Sequence, residues 1–464
     1  MLTKVLIANR GEIAVRIINE CKKLGIKTVA ICSDIERDAL HMRIADEGYC
    51  IGAAPQKESY MNLDAIVNTA FITKTDMVHP GYGFLSERME FAQLCEQYGI
   101  SFIGPASSIL AQVSNKISAK QIAISQQIPV LTGYIAESIG DALRCINEIG
   151  YPAMIKTSNG GGGVGLKAVF NENELKKAFD ILQTSRDKKL FIEKYIERAR
   201  HIEIQIMSDK FGNIVTLGNR ECSIQLNNKK VLEESPAQNL SADLLEKLYS
   251  DSLKLARAVN YTGVGTIEFL VDETENYYFM EMNARIQVEH GVTEMITGLN
   301  LVEWQIKIAL GEKIPFAQDE IKINGHALEC RINAVNYGQI DSWRLNAKDA
   351  RFDHALTNGI SITPYYDSLL GKLISYGQTR KDSICKMRKY LGGLQIYGIK
   401  TNIESHKSIL NNENFTDNTY FTNFLSIHGI NSDKVELIDG WKRRQTKYSN
   451  HTDSKPYGDE YAVI

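Results

Sequence analysis

The chain has 464 residues, 44% hydrophobic and 23% charged, with 53 Lys and Arg against 56 Asp and Glu and a formal charge of −3. This is the composition of a folded protein of about two to four domains, and its balance of charge excludes a nucleic-acid binder that works through a net basic surface. No apolar run approaches the ~18 residues of a membrane span and the apolar stretch after Met1 is too short for a signal peptide, so the expected compartment is the cytoplasm.

Residues 4–8 read as a first strand. Ile13, Ala14, Ile17, Ile18, Cys21 and Leu24 then recur at helical spacing before a second strand at 28–32. That is a β-α-β unit of a parallel sheet. The turn Asn9-Arg10-Gly11-Glu12 lacks Gly-x-Gly-x-x-Gly, which argues against a nicotinamide cofactor. Strands near 77–79 and 102–104 complete a doubly wound α/β domain over residues 1–114. A helix over 114–127 stops before Pro129, and 130–196 form a small α/β module around a glycine run. From about 200 the chain is strand-rich. Residues 201–207 alternate like a half-buried antiparallel strand, 263–271 and 277–282 form a hairpin, and 325–333 alternate again. Beyond 432 the sequence is polar, and a weakly ordered tail is expected. Eight cysteines, none closer than eleven positions, exclude a Cys-x-x-Cys site and are read as reduced.

Three places carry chemistry. Lys156-Thr157-Ser158-Asn159 leads into five glycines within 160–165. Backbone N–H groups there can close on phosphate without Cβ obstruction, although a surface hairpin uses the same residues. In an extended 279–289, Glu281, Asn283, Arg285, Gln287 and Glu289 share one face and Met280, Met282, Ala284, Ile286 and Val288 the other. With Glu268 on the preceding strand this makes a hard-oxygen site suited to Mg²⁺ beside nucleotide phosphates. Arg331 shares its strand face with Glu329, as either a structural pair or a functional group. His201 alone is more often structural than catalytic, and Lys229 and Lys230 alone read as a charged loop.

The strings Ile7-Ala8-Asn9-Arg10-Gly11-Glu12-Ile13-Ala14, His79-Pro80-Gly81-Tyr82-Gly83-Phe84-Leu85-Ser86-Glu87 and Glu281-Met282-Asn283-Ala284-Arg285-Ile286-Gln287-Val288-Glu289-His290 resemble biotin carboxylase. So do Glu329-Cys330-Arg331-Ile332-Asn333-Ala334 and Pro364-Tyr365-Tyr366-Asp367-Ser368. The resemblance covers roughly residues 1–430 in order. It implies an α/β (α+β overall) ATP-grasp fold with an N-terminal domain at 1–114, an ATP-grasp domain at 115–330 with its lid at about 129–196, and a C-terminal domain at 331–431. It also implies carboxylation of biotin N1 with ATP, Mg²⁺ (or Mn²⁺) and bicarbonate. The biotin would sit on a carboxyl carrier protein, with carboxyltransferase subunits as partners, a homodimeric enzyme, and acetyl-CoA carboxylase of fatty acid biosynthesis as the setting.

By the same resemblance, Lys116 and Lys156 look like phosphate lysines, Gly162 and Gly163 lie in the lid loop, and Glu193, Lys194, Tyr195 and Ile196 resemble the adenine hinge, with His201 on the ribose side. Glu268, Glu281 and Asn283 resemble metal ligands, and Lys230, Arg285, Gln287 and Val288 the bicarbonate site. Glu289 matches the general base and Arg331 the stabiliser of the biotin enolate. Departures from the pattern are Val164 for a lid arginine, Asn228 for a nucleotide-contacting histidine, Gly291 for a proline, and a shortened segment after Ala334. Two readings remain beside the first: an ATP-grasp ligase activating another carboxylate as an acyl phosphate, and a catalytically weak paralogue kept for binding.

Overall fold

The computed structural model describes residues 3–157, 165–183 and 189–430. Gly162, Gly163 and Val164, and the tail beyond 432, lie outside the described residues. The first layer is a parallel sheet of β1 (Lys4–Ile7), β2 (Lys27–Ser33), β3 (Glu47–Gly52), β4 (Met77–His79) and β5 (Ser101–Phe102), in the order β3-β2-β1-β4-β5. The helix Gly11–Lys23 crosses between β1 and β2. It buries Ile13, Ala14, Ile17, Ile18 and Cys21, and carries Glu12 in its first turn and Lys22 and Lys23 in its last, matching its dipole.

Strands β6 (Gly133–Ala136), β7 (Ala153–Thr157), β8 (Leu166–Val169) and β9 (Leu190–Lys194) build a small antiparallel sheet in the order β6-β9-β7-β8. The expected helix before it runs over Lys116–Ser125, capped by Asn115, whose side chain accepts from the N–H groups of Ile117 and Ser118.

The third sheet positions the site. It contains β10 (Arg200–Ser208), β11 (Ile214–Leu226), β12 (Lys229–Ser235), β13 (Gly263–Val271), β14 (Tyr277–Asn283) and β15 (His326–Asn333). After them come β16 (Gly338–Gln339), β17 (Ser342–Leu345), β18 (Arg351–His354), β19 (Ser361–Ile362), β20 (Leu369–Gly377) and β21 (Leu394–Tyr397). Eight of these form one antiparallel sheet, β14-β13-β10-β11-β12-β15-β20-β18, continuous through residues 330 and 331 inside β15. The remaining four pair as β16 with β19 and β17 with β21. Ile202, Ile204, Ile206, Ile267, Phe269 and Phe279 form its apolar side, against the helix Ala242–Ala258 and the helix Lys116–Ser125.

Two expectations need correction. Residues 201–207 are not half-buried: His201, Glu203 and Gln205 are as buried as the isoleucines between them, because the polar face is roofed by the site itself. Nor does 279–289 stay extended. β14 ends at Asn283, and the chain then turns through 284–289 into the helix His290–Thr297. Among the described residues no helix is long and apolar enough to cross a membrane.

Candidate active site

Strand register assembles the charges. Arg220 pairs with Glu203, Glu203 with Glu268, and Glu268 with Glu281, so one row across β11, β10, β13 and β14 carries a guanidinium and three carboxylates. Glu281 lands opposite Glu268 because the ladder slips by one residue between Glu268 and Phe269, leaving Met280 outside the pairing as a β-bulge.

Lys230 enters from β12. Its ammonium donates to Glu203, to Glu268 Oε1 at 2.8 Å and to Glu289 Oε1 at 2.7 Å. Three carboxylates share one cation in a site nearly closed to water. Burial lowers the lysine's affinity for its proton, but the surrounding carboxylates outweigh it and hold it well above the ordinary value. Burial also pushes all three carboxyls up. Lys230 and His201 overcome that at Glu268, and Lys230, Arg331 and Arg220 at Glu289, so both are held below the carboxylate range. Glu203 goes the other way: burial prevails, with Glu289 and Glu268 adding to it, and its carboxyl is raised.

Arg331 closes one side, its Nε 2.5 Å from Glu233 Oε1 and its Nη2 2.9 Å from Glu289 Oε2. Glu289 is thus clasped by Lys230 on one oxygen and Arg331 on the other. Arg285 lies on the other side, with Nε 3.0 Å from Glu87 and Nη2 donating to Asn283 Oδ1 at 2.7 Å. Gln287 donates to Glu268 Oε1 at 2.6 Å and accepts from Arg220. The Val288 carbonyl accepts from Lys372 at 2.9 Å. His201 Nε2 is 2.8 Å from Glu268 Oε2, and its Nδ1 meets Gln225 at 2.8 Å.

Three groups of side chains differ in how they suit a cation. His201, Glu203 and Glu268 lie close enough to ligate together, as do Glu203, Cys222 and Glu289. Glu203 and Glu289, the carboxylates deepest in these groups, are already neutralised by Lys230, Arg220 and Arg331, which leaves little attraction for a metal there. Glu268, Glu281 and Asn283 are adjacent: the Asn283 amide donates to Glu268 Oε1 at 2.8 Å and contacts Glu281 Oε1 at 3.3 Å. The Glu281 side chain is one-third exposed, with Lys116 4.0 Å away. A partly open, all-oxygen set with an uncommitted carboxylate suits Mg²⁺.

The expected nucleotide residues form a second group nearby. Glu193 on β9 is buried between Lys156 on β7 and Lys120, ion-paired to both. Lys194 Nζ donates to the Tyr151 carbonyl at 3.0 Å, and the Tyr195 N–H to the Pro152 carbonyl at 3.1 Å, which ties the segment leading to Ile196 against β7. Asn228 sits exposed in the two-residue turn between β11 and β12, where Asn227 and Asn228 both have left-handed φ (50° and 60°). Asparagine tolerates that conformation better than most residues, so turn geometry accounts for it there.

Sequence reasoning missed Glu203, Arg220, Glu233, Lys120 and Lys372. Glu203 was within reach, two positions from His201 on the same strand face. Arg220 was not. Register shifts break the alternation of β11, and nothing in the sequence marks that this arginine, fully buried, bonds Glu203, Gln205, Thr266, Gln287 and Thr293.

This doubly wound layer, small antiparallel lid sheet and charged antiparallel sheet define an ATP-grasp enzyme. Residues 115–317 match the carbamoyl-phosphate synthase L chain ATP-binding domain, 1–110 the biotin carboxylase N-terminal domain and 329–427 the biotin carboxylase C-terminal domain. The chain belongs to the biotin carboxylase family, ATP-dependent carboxylating ligases. It is 44% identical over 447 residues to biotin carboxylase 1 of Bacillus subtilis, covering 93% of this chain and 99% of that protein. It is 42% identical over 455 residues to the 2-oxoglutarate carboxylase small subunit of Hydrogenobacter thermophilus, covering 95% and 96%. Among solved structures, the biotin carboxylase domain dimer of that H. thermophilus enzyme, with MgADP, ADP and bicarbonate, superposes with a TM-score of 0.89 at 42% identity, covering 92% and 98%. A Campylobacter jejuni biotin carboxylase with β,γ-ATP gives 0.89 at 40% identity, covering 92% and 99%.

Proposed function

We propose that the chain carboxylates N1 of biotin carried on a carrier protein, using ATP and bicarbonate, and that Lys230, Arg285, Glu289 and Arg331 perform the chemistry. The observation that carries this reading is the clasp on Glu289, one oxygen on Lys230 and the other on Arg331. It joins a residue suited to bicarbonate and a residue suited to biotin through a single carboxylate.

Lys116 and Lys156 bind the nucleotide phosphates, with Lys194, Tyr195 and Ile196 bordering the base and His201 the ribose. Glu268, Glu281 and Asn283 would hold Mg²⁺, which supplies charge neutralisation at the phosphates. Arg285 and Lys230 bind bicarbonate beside Gln287 and Val288. As Lys230 turns to the anion, Glu289 loses the cation that most lowers its pKa, and so becomes the base that takes the bicarbonate proton. A bicarbonate oxygen bonds to the γ-phosphorus as the bond to ADP breaks, giving carboxyphosphate. This divides into CO₂ and phosphate, the phosphate takes the N1 proton, and CO₂ bonds to N1. Arg331 stabilises charge on the ureido oxygen, a task suited to a planar guanidinium.

In this reading the functional units are 1–114, 115–330 and 331–431. The enzyme is a cytoplasmic homodimer that hands carboxybiotin to carboxyltransferase subunits, with acetyl-CoA carboxylase and fatty acid biosynthesis as its setting. ADP release measured with bicarbonate, with and without free biotin, is the test. Bicarbonate-stimulated turnover that biotin accelerates is expected. Turnover indifferent to bicarbonate would refute the reading in favour of another carboxylate substrate.

A further inference from the structure

The turn at 284–289 carries Arg285, Gln287 and Glu289, yet it belongs to no strand or helix, so its carbonyls lack the partners a ladder supplies. The Gln287 and Glu289 carbonyls accept only long bonds from the N–H groups of His290 and Val292, at 3.4 and 3.3 Å, and side chains supply the rest. Arg285 Nη1 donates to the Ile286 carbonyl at 3.2 Å, and His290 Nδ1 lies 2.7 Å from the Gln287 carbonyl. Burial holds His290 at a pKa of about 3, so the ring is neutral and Nδ1–H is the donor. The third carbonyl, Val288, is held by Lys372.

Lys372 is unusual because its side chain is fully buried. It sits on β20 in register with Arg331 on β15 and Asp353 on β18, on the sheet face that carries the site. Its ammonium reaches Glu12 Oε1 at 3.2 Å and Asp353 Oδ2 only at 3.9 Å. Its shortest contact is therefore a main-chain carbonyl, not a counter-ion. Glu12, in turn, lies in the first turn of the helix Gly11–Lys23 and accepts from the Tyr82 hydroxyl. Both residues belong to motifs of the N-terminal layer that the proposed chemistry does not use.

Burying an ammonium costs several kcal/mol, and a salt bridge needed only for cohesion is often matched by apolar residues of the same volume. A charge placed to pin one carbonyl adjacent to Glu289 has another use. We propose that Lys372 is a positioning residue: through the Val288 carbonyl it fixes the turn that presents Gln287 and Glu289, and through Glu12 it ties that turn to the N-terminal layer. The role in bicarbonate chemistry rests on the function proposed above, whereas the clamp itself does not.

The test uses Lys372→Met, of similar length and no charge, in the full-length protein. Amide exchange over residues 285–292, without ligands, should quicken at least tenfold relative to the parent, while exchange in β10 and β13 stays within twofold. With ATP and bicarbonate, the KM for bicarbonate should rise and kcat fall by roughly 10–100-fold together, the scale of a misplaced reacting group, while the affinity for ADP is held. Glu12→Gln keeps the shape and weakens the tie, and should shift the same two readouts in the same direction by less. If Lys372→Met fails to fold, Glu12→Gln carries the test alone. Unchanged exchange at 285–292 in a folded variant overturns the clamp whatever the substrate proves to be. Quickened exchange with unchanged bicarbonate kinetics overturns the catalytic consequence. A parent enzyme indifferent to bicarbonate counts against the proposed function, and the exchange result still decides the clamp.

Discussion

Replacing Arg331 by alanine removes two contacts at once, 2.5 Å to Glu233 and 2.9 Å to Glu289. Charge on the ureido oxygen of biotin would lose its donor, which for a stabilising group in a dry site costs about 10²–10³ in rate, or about 2.7–4 kcal/mol. The effect on Glu289 has the opposite sign. Lys230 and Arg331 are the two largest influences lowering its carboxyl, so removing the guanidinium raises its pKa toward the ordinary range and strengthens it as a base. Bicarbonate-dependent ATP hydrolysis without biotin should therefore hold or rise in Arg331→Ala, while biotin carboxylation falls by about 10²–10³. Glu289→Ala should lower both. Glu233, whose carboxyl is already raised by burial, can take up a proton when its partner is lost, so the fold should survive, as a thermal melt would verify. ADP release and fixation of labelled bicarbonate into free biotin, measured on the same preparations, separate the two steps. Equal losses in both assays for Arg331→Ala would refute the division of labour between Arg331 and Glu289.

Glu281→Gln should cut turnover about 10²-fold, and raising the Mg²⁺ concentration should recover part of it. Its side chain is one-third exposed and ties no core element, so the melting temperature should stay with the parent. Arg220→Met takes the buried guanidinium from Glu203, which keeps Lys230, and from Gln205, Thr266, Gln287 and Thr293, and should cost about 3–5 kcal/mol of stability in urea melts. Glu234 is buried against His326, Arg380 and Tyr420, and despite burial His326 and Arg380 hold its carboxyl down at about 2. A folded pKa below the unfolded value contributes stability above pH 4.5 that is lost as pH falls toward 2, up to about 3 kcal/mol. Urea melts of Glu234→Gln should show that deficit at pH 7 and a shrinking one through this window.

How legible the site was depends on how each residue meets the sheet. Glu268, Glu281 and Asn283 lie on a hairpin whose alternation separates polar from apolar positions on either side of the bulge at Met280, and the sequence marks them. Arg285, Gln287 and Glu289 were grouped correctly by a parity that holds only to Asn283, since a turn rather than a strand brings them inward. Glu233 and Glu234 follow the two lysines that read as a charged loop, but both are buried strand residues. Lys372 sits among Leu370, Leu373 and Ile374 on β20, and nothing local in the sequence marks it as buried. The common cause is a sheet buried on both faces, one by the core and one by the site. Polar residues there point toward each other, and composition cannot distinguish that from pointing toward water. In the parallel N-terminal layer β1, the helix Gly11–Lys23, β2, β4 and β5 were legible, because their pattern depends on local periods of helix and strand, whereas β3 and the helices Leu63–Ile72 and Met89–Gln97 were not named.

The two-asparagine turn between β11 and β12 sets a discrete choice on this enzyme. With no spare residue in the loop, Leu226 faces Lys229 and Gln225 faces Lys230, and the irregularities of this ladder begin only beyond that pair, between Gln225 and Ile224. A slip of one position would carry the Lys230 ammonium to the opposite side of the sheet, into the apolar core. The hairpin therefore behaves as a ratchet with one working notch. Changes of residue at 227 and 228 can drift as far as left-handed backbone permits, while a change of length between this turn and Lys230 would turn the ammonium away from the site.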